Sequence, residues 1–127
     1  MRYLALDVGD RRIGLAVGDD TFGLVRPLPT LRRKSLVRDL VLLGEVVRRE
    51  EVAALVIGMP LTLRGEVGYQ AARVQRFAEA AQVALALPLS FADERFTTAE
   101  AAARGATDLD AGAATVLLEA FFRDGGR

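Results

Sequence analysis

LALDVGDRRIGLAVGD, residues Leu4–Asp19, reads as two strands joined by a tight turn. Leu4, Ala5 and Leu6 are apolar, and an acid, Asp7, then arrives without a break in the strand pattern. Gly9-Asp10 carries turn chemistry, since glycine tolerates positive φ and aspartate can bond its own backbone. Ile13, Leu15 and Val17 alternate with Gly14, Ala16 and Gly18, the period-two pattern of a strand packed closely on one side. A carboxylate near the end of a buried strand is costly unless it is hydrogen-bonded or holds a metal. Asp7 is therefore the first candidate functional residue, the plainer alternative being a turn acid ahead of Gly9.

The 127 residues fit one compact domain, spanning 1–127, with room for a real core. Cysteine and histidine are both absent. That excludes disulfides, thiolate metal sites, an imidazole base and His-ligated zinc. Catalysis must rest on carboxylates, Lys/Arg, hydroxyls or the backbone. No apolar run is long enough to span a bilayer, and Asp7 and Asp10 fall where a signal peptide would be apolar, so a cytoplasmic protein with no membrane contact is expected. Net charge is zero but unevenly spread: residues 1–49 carry ten Lys/Arg and six Asp/Glu, residues 50–127 seven and eleven. A basic half can touch phosphates, and an acidic half can supply metal ligands.

Further along, Phe22–Leu28 reads as a third strand ended by Pro27 and Pro29, followed by a basic linker, Thr30–Lys34. Ser35 can cap a helix whose inner stripe is Leu36, Leu40, Leu43 and Val47. AALVIG, Ala53–Gly58, is a strand buried on both faces. A glycine-bearing loop, Met59–Gly68, can bring backbone N–H groups to a phosphate, although it lacks the Lys-Ser/Thr of a P-loop. A second helix has Val67, Ala71, Val74, Ala78 and Ala81 inside, and Leu85–Phe91 is a fifth strand. Thr97 with Glu100 forms a capping box for a short helix. A last helix, apolar nearly all round, runs from a Thr107 cap to about Arg123. The order β-β-β-α-β-α-β-α-α predicts an α/β fold: a mixed five-stranded sheet, its first three strands a meander, with helices on both faces.

Active sites in such sheets gather at the carboxyl ends of the parallel strands. There the chain delivers Asp7, then Asp93 and Glu94, then Asp108 and Asp110. Mg²⁺ or Mn²⁺ suits an all-oxygen set of this kind, and a metal pair cleaves phosphodiesters without histidine. Each acid also has an ordinary use: Glu94 can pair with Arg95 or Arg73, and Asp108 and Asp110 can favour the positive end of the last helix. We assign that helix-end role to Asp108 and the inward one to Asp110.

Four blocks resemble a known family: ALDVGDRRIGLAV, VIGMP with Gly65, ADERFTTAEA and DLDAGAATVLLEAF. DERFTT is the most specific, followed by the spacing of Asp110, Ala113 and Ala114. The chain is similar over nearly its whole length to the YqgF/RuvX family of bacterial ribonuclease H-like proteins, the pre-16S rRNA nucleases or Holliday junction resolvases. After Pro60 it departs from the family pattern, with Thr62 and Arg64 where Asn and then Asp or Ser are usual. The resemblance implies a ribonuclease H-like fold and a metal-dependent nuclease for structured nucleic acid, processing the 5′ end of pre-16S rRNA in ribosome biogenesis. It puts the family's acidic residues on Asp7, Glu94 and Asp110, with Mg²⁺ or Mn²⁺ as cofactor. Arg11, Arg12, Arg32, Arg33 and Lys34 are candidates to hold the phosphates of structured RNA or branched DNA.

Three other readings remain open from the sequence. A Holliday junction resolvase would act on DNA, and symmetric cutting would need a homodimer, so monomer and homodimer both stay open. A non-catalytic module would bind RNA or a ribosomal factor. D-x-G on a first hairpin also opens the sugar-kinase and actin-like ATPases, but those clamp nucleotide between two such domains and this chain has one.

Overall fold

A computed structural model describes residues 1–60, 68–93 and 109–125, the side chains of 109–111 excepted. Its strands are β1 (Arg2–Val8), β2 (Arg12–Asp19), β3 (Leu24–Arg32), β4 (Ala54–Met59) and β5 (Leu89–Asp93), and its helices α1 (Leu36–Arg49), α2 (Tyr69–Leu85) and α3 (Leu109–Arg123). They form one mixed sheet in the order β3-β2-β1-β4-β5. The meander β1-β2-β3 is antiparallel, and β4 and β5 join by parallel pairing. Among the described residues, no helix is long and apolar enough to cross a membrane.

Strand alternation divides the core in two. Leu4, Leu6, Val8, Ile13, Leu15, Leu55 and Ile57 pack with Leu43 of α1 and Val74, Phe77 and Ala78 of α2. Ala5, Ala16 and Val56 pack on the other face against Ala114, Leu117, Leu118 and Phe121 of α3. The small residues of β1 and β2 let α3 lie close. A Cβ on Gly18 would sit 2.7 Å from the Leu24 carbonyl oxygen and 3.1 Å from the Phe122 ring. The C-terminal end of α3 is fixed by Tyr3, whose ring centroid lies 5.5 Å from those of both Phe121 and Phe122. Tyr3 is near the start of β1, so α3 runs antiparallel to β1. The roughly 17 Å of helix from Phe121 back to its first turn therefore reaches the carboxyl end of β1, where Asp7 lies.

Two boundaries differ from the sequence reading. Pro27 and Pro29 do not end β3, which runs on to Arg32. β3 is an edge strand, where a missing N–H is tolerated, and the register steps from Ile13–Leu31 to Leu15–Leu28, one extra residue on β3. The expected linker Thr30–Lys34 is thus half strand. The fifth strand starts at Leu89 rather than Leu85, because α2 continues to Leu85 and closes on Ala86 in the left-handed conformation (φ 54°). The first turn differs in kind as well. Gly9 does not have positive φ. Its N–H bonds the Arg12 carbonyl at 2.8 Å, and a Cβ there would stand 3.0 Å from that oxygen, so glycine serves close approach.

Gly18→Ala tests the packing of α3. The added methyl meets backbone that cannot swing aside, so stability should fall by about 1–3 kcal/mol in urea unfolding.

Candidate active site and basic cleft

The carboxyl ends of β1, β4 and β5 share one edge with the start of β2 and the end of β3. Asp7 stands there, half-buried, on the α3 face of the sheet. Its cross-strand partner on β2 is Gly14, and one step past the Leu6–Ile57 pair its neighbour on β4 is Gly58. Neither neighbour has a side chain, so the sheet surface beside the carboxylate is low on both sides. The β3 bulge lies across Gly14 from Asp7, in the kind of place where bulges accompany active sites.

Position 110 is in the first turn of α3, on the helical row of Ala114, Leu117 and Phe121 that packs on the sheet. The helix thus begins at the Asp7 end and on the Asp7 face. Asp93 ends β5 opposite Met59, and alternation from Ala92, which packs toward α3, puts it on the other face from Asp7. Glu94, Asp108, the Thr97–Glu100 cap and residues 61–67 of the glycine-bearing loop lie outside the described residues. Among the described residues, no three acids form a metal-binding group.

On the opposite side of the same edge is a cationic cleft. Arg12 and Arg32 are directly paired across β2 and β3, and the Arg33 N–H donates to the Arg11 carbonyl at 2.8 Å. Sheet pairing therefore gathers the basic residues of two distant segments. A cavity of 650 Å³ is lined by Arg11, Arg12, Arg32, Arg33, Lys34 and Arg73. A second cavity of 350 Å³ shares Asp10, Arg33, Leu36 and Arg73 with it and adds Arg76, Gln70 and an apolar floor of Val8, Val74 and Phe77. Among the described lining residues, Asp10 and Asp39 are the acids that accompany these seven cations.

All five basic residues singled out in the sequence line the cleft, but they are not alike. Arg11, Arg12, Arg32 and Lys34 are exposed. Arg33 forms the floor. Its Nη1 donates to the Gly9 carbonyl at 2.9 Å, its Nε to Asp39 Oδ2 at 3.2 Å, and its guanidinium lies 5.0 Å from the centroid of the Phe77 ring. Asp39, 1% exposed, also accepts the Lys34 N–H at 3.0 Å. Ser35 caps α1 by accepting the Arg38 N–H, as expected.

Asp39 and Arg76 escaped the sequence reading, which named Arg73 only as a possible partner of Glu94. Asp39 was detectable, since it sits three residues after Leu36 on the stripe meant for the core. Nothing in the sequence alone ties α2 to the hairpin turn, which is how Arg73 and Arg76 reach the cleft.

The family described as "RuvX: Holliday junction resolvase" matches residues 1–124. The chain belongs to the RuvX family. A protein of Acaryochloris marina named "Putative pre-16S rRNA nuclease" is 46% identical over 77% of this chain and 68% of its own length. A like-named protein of an Anaeromyxobacter species is 39% identical over 94% of both. Among solved structures, T. thermophilus RuvC in complex with Holliday junction substrate superposes with a TM-score of 0.68, covering 99% of this chain and 98% of that one. At 18% identity that likeness is one of fold, and the fold is the ribonuclease H-like one. In this RuvX chain Asp7 occupies the end of the central strand.

The buried Arg33–Asp39 pair yields a prediction. Asp39→Ala leaves a mostly buried guanidinium without its anion and should cost about 3–5 kcal/mol in urea unfolding, whereas Asp39→Leu combined with Arg33→Met should recover most of it.

Proposed function

We propose that this protein is a divalent-metal-dependent nuclease that trims the 5′ end of pre-16S rRNA, working as a single domain in the cytoplasm. The observation that carries the reading is Asp7: a half-buried carboxylate at the end of the central strand, flanked by glycines, on the face where α3 begins. A hard-oxygen donor in that setting fits Mg²⁺ or Mn²⁺, with Glu94 and Asp110 as the further ligands. Bound there, the ion supplies water activation and stabilisation of the leaving oxygen.

The chain's own residues do the rest. The cleft's cations bind backbone phosphates without regard to sequence, which suits selection by RNA shape. Arg33, by holding the Gly9 carbonyl, fixes the turn two residues beyond Asp7, and catalysis is sensitive to such placement. The names of the relatives favour the rRNA precursor as substrate. The family description favours a second reading, resolution of a four-way DNA junction.

Cleavage of a pre-16S rRNA precursor and of a synthetic four-way junction, side by side and with or without Mn²⁺, tests the proposal. The wild-type protein should cut the precursor in a metal-dependent way. Asp7→Asn should lower the rate by at least about 100-fold, since loss of a mere supporting contact around a metal already costs 10–100-fold. The variant should also bind Mn²⁺ more weakly. Cutting of the junction alone selects the second reading. Tight RNA binding without any cleavage makes the protein a binding module.

A further inference from the structure

We infer that Arg73 of α2 is a phosphate ligand of the cleft, and that Asp10 holds it in reserve until a nucleic-acid backbone displaces the carboxylate. The inference rests on the nuclease reading above and deepens it by naming how the substrate is admitted. Arg73 Nη2 lies 2.9 Å from Asp10 Oδ1. Both residues line both cavities, so their ion pair spans the boundary between the outer basic groove and the inner pocket. It joins the β1–β2 turn to α2. The pair is exposed, Asp10 by 69% and Arg73 by 43% at the side chain. An exposed ion pair contributes little to folding, so its presence at the neck of the cleft is not explained by stability.

Charge and geometry point the same way. Asp10 is the one exposed acid among the described lining residues, since the other, Asp39, is buried against Arg33. A phosphodiester has the same charge as the carboxylate and presents the same paired oxygens to a guanidinium fork. It also meets Arg11 and Lys34, which line the same cavity. Arg73 is already oriented, its guanidinium 5.7 Å from the Tyr69 ring centroid, so exchanging partners requires little reordering. The exchange breaks no covalent bond. The phosphate takes the arginine, and the carboxylate turns to water.

The test is a double-mutant cycle on binding, read with a fluorescein-labelled single-stranded oligoribonucleotide across a salt series. Arg73→Gln should weaken binding and reduce the log–log salt slope by about 0.7, the loss of one phosphate contact on a single strand. Asp10→Asn should tighten binding about two- to fivefold. In the Arg73→Gln background Asp10→Asn should change affinity by less than about twofold, since the acid acts through that arginine. Asp124→Asn, which removes an exposed acid at the far end of α3, controls for net charge and should be silent. Equal effects of Asp10→Asn with and without Arg73, or an unchanged slope in Arg73→Gln, overturn the inference and leave the nuclease reading standing if the wild type still cuts. A wild-type protein that shows no salt-dependent binding overturns both.

Discussion

Burial of β1 on both faces is the constraint from which the rest of the molecule follows. Leu4 and Leu6 are sealed under α1 and α2, and Ala5 under α3. A strand covered on both sides must be apolar along its length, and a polar group is affordable only where cover ends. That point is Asp7. The helices also run with respect to the strand in a definite sense. α1 leaves the end of β3, α2 follows β4, and α3 is pinned by Tyr3 at its far end, so all three begin at the Asp7 edge. Their positive dipole ends therefore gather there, adding a field that favours anions before any side chain is counted.

The opposite edge is organised around one acid. Glu50, directly after α1, accepts from Arg2 of β1 at 3.3 Å and makes a short contact with Arg26 of β3. The Glu50 backbone N–H closes the end of the helix, and its carboxylate ties two strands. At the candidate-site edge, seven cations and two acids are found among the described residues that line the two cavities, and Arg12 stands directly across from Arg32.

Much of this was legible in the chain. Period-two alternation in Leu4–Val17, the β-branched run at Leu55–Ile57 and the stripes of α1 and α2 yielded the sheet, its meander and the two-sided cover, because burial imposes those patterns directly. Boundaries failed where tertiary context outweighed local chemistry. Pro27 and Pro29 stop a central strand but not an edge strand that can bulge. Leu85 looked like strand because a left-handed Ala86, rather than a glycine, ends α2. In the site, Asp7 and the five basic residues were visible as types out of pattern. The structural burden on Arg33 was not, since an arginine in a basic run looks the same whether it faces solvent or a buried aspartate. The place of Arg73 in the cleft was invisible for a different reason: it depends on a contact between segments more than sixty residues apart.

The turn Gly9–Arg12 is where the two halves of the edge meet. β1 enters it carrying Asp7 on the α3 face, and β2 leaves it carrying Arg12 at the cleft. The Gly9 N–H to Arg12 carbonyl bond keeps the turn tight, and Arg33 grips the same glycine from the side of α1. A backbone lying in the cleft thus touches a segment only a few residues from the carboxylate on the other face. Movement of the turn by an ångström therefore moves both the cleft's cations and Asp7. Gly9 is what keeps the turn tight. A side chain there would press on the Arg12 carbonyl and open it.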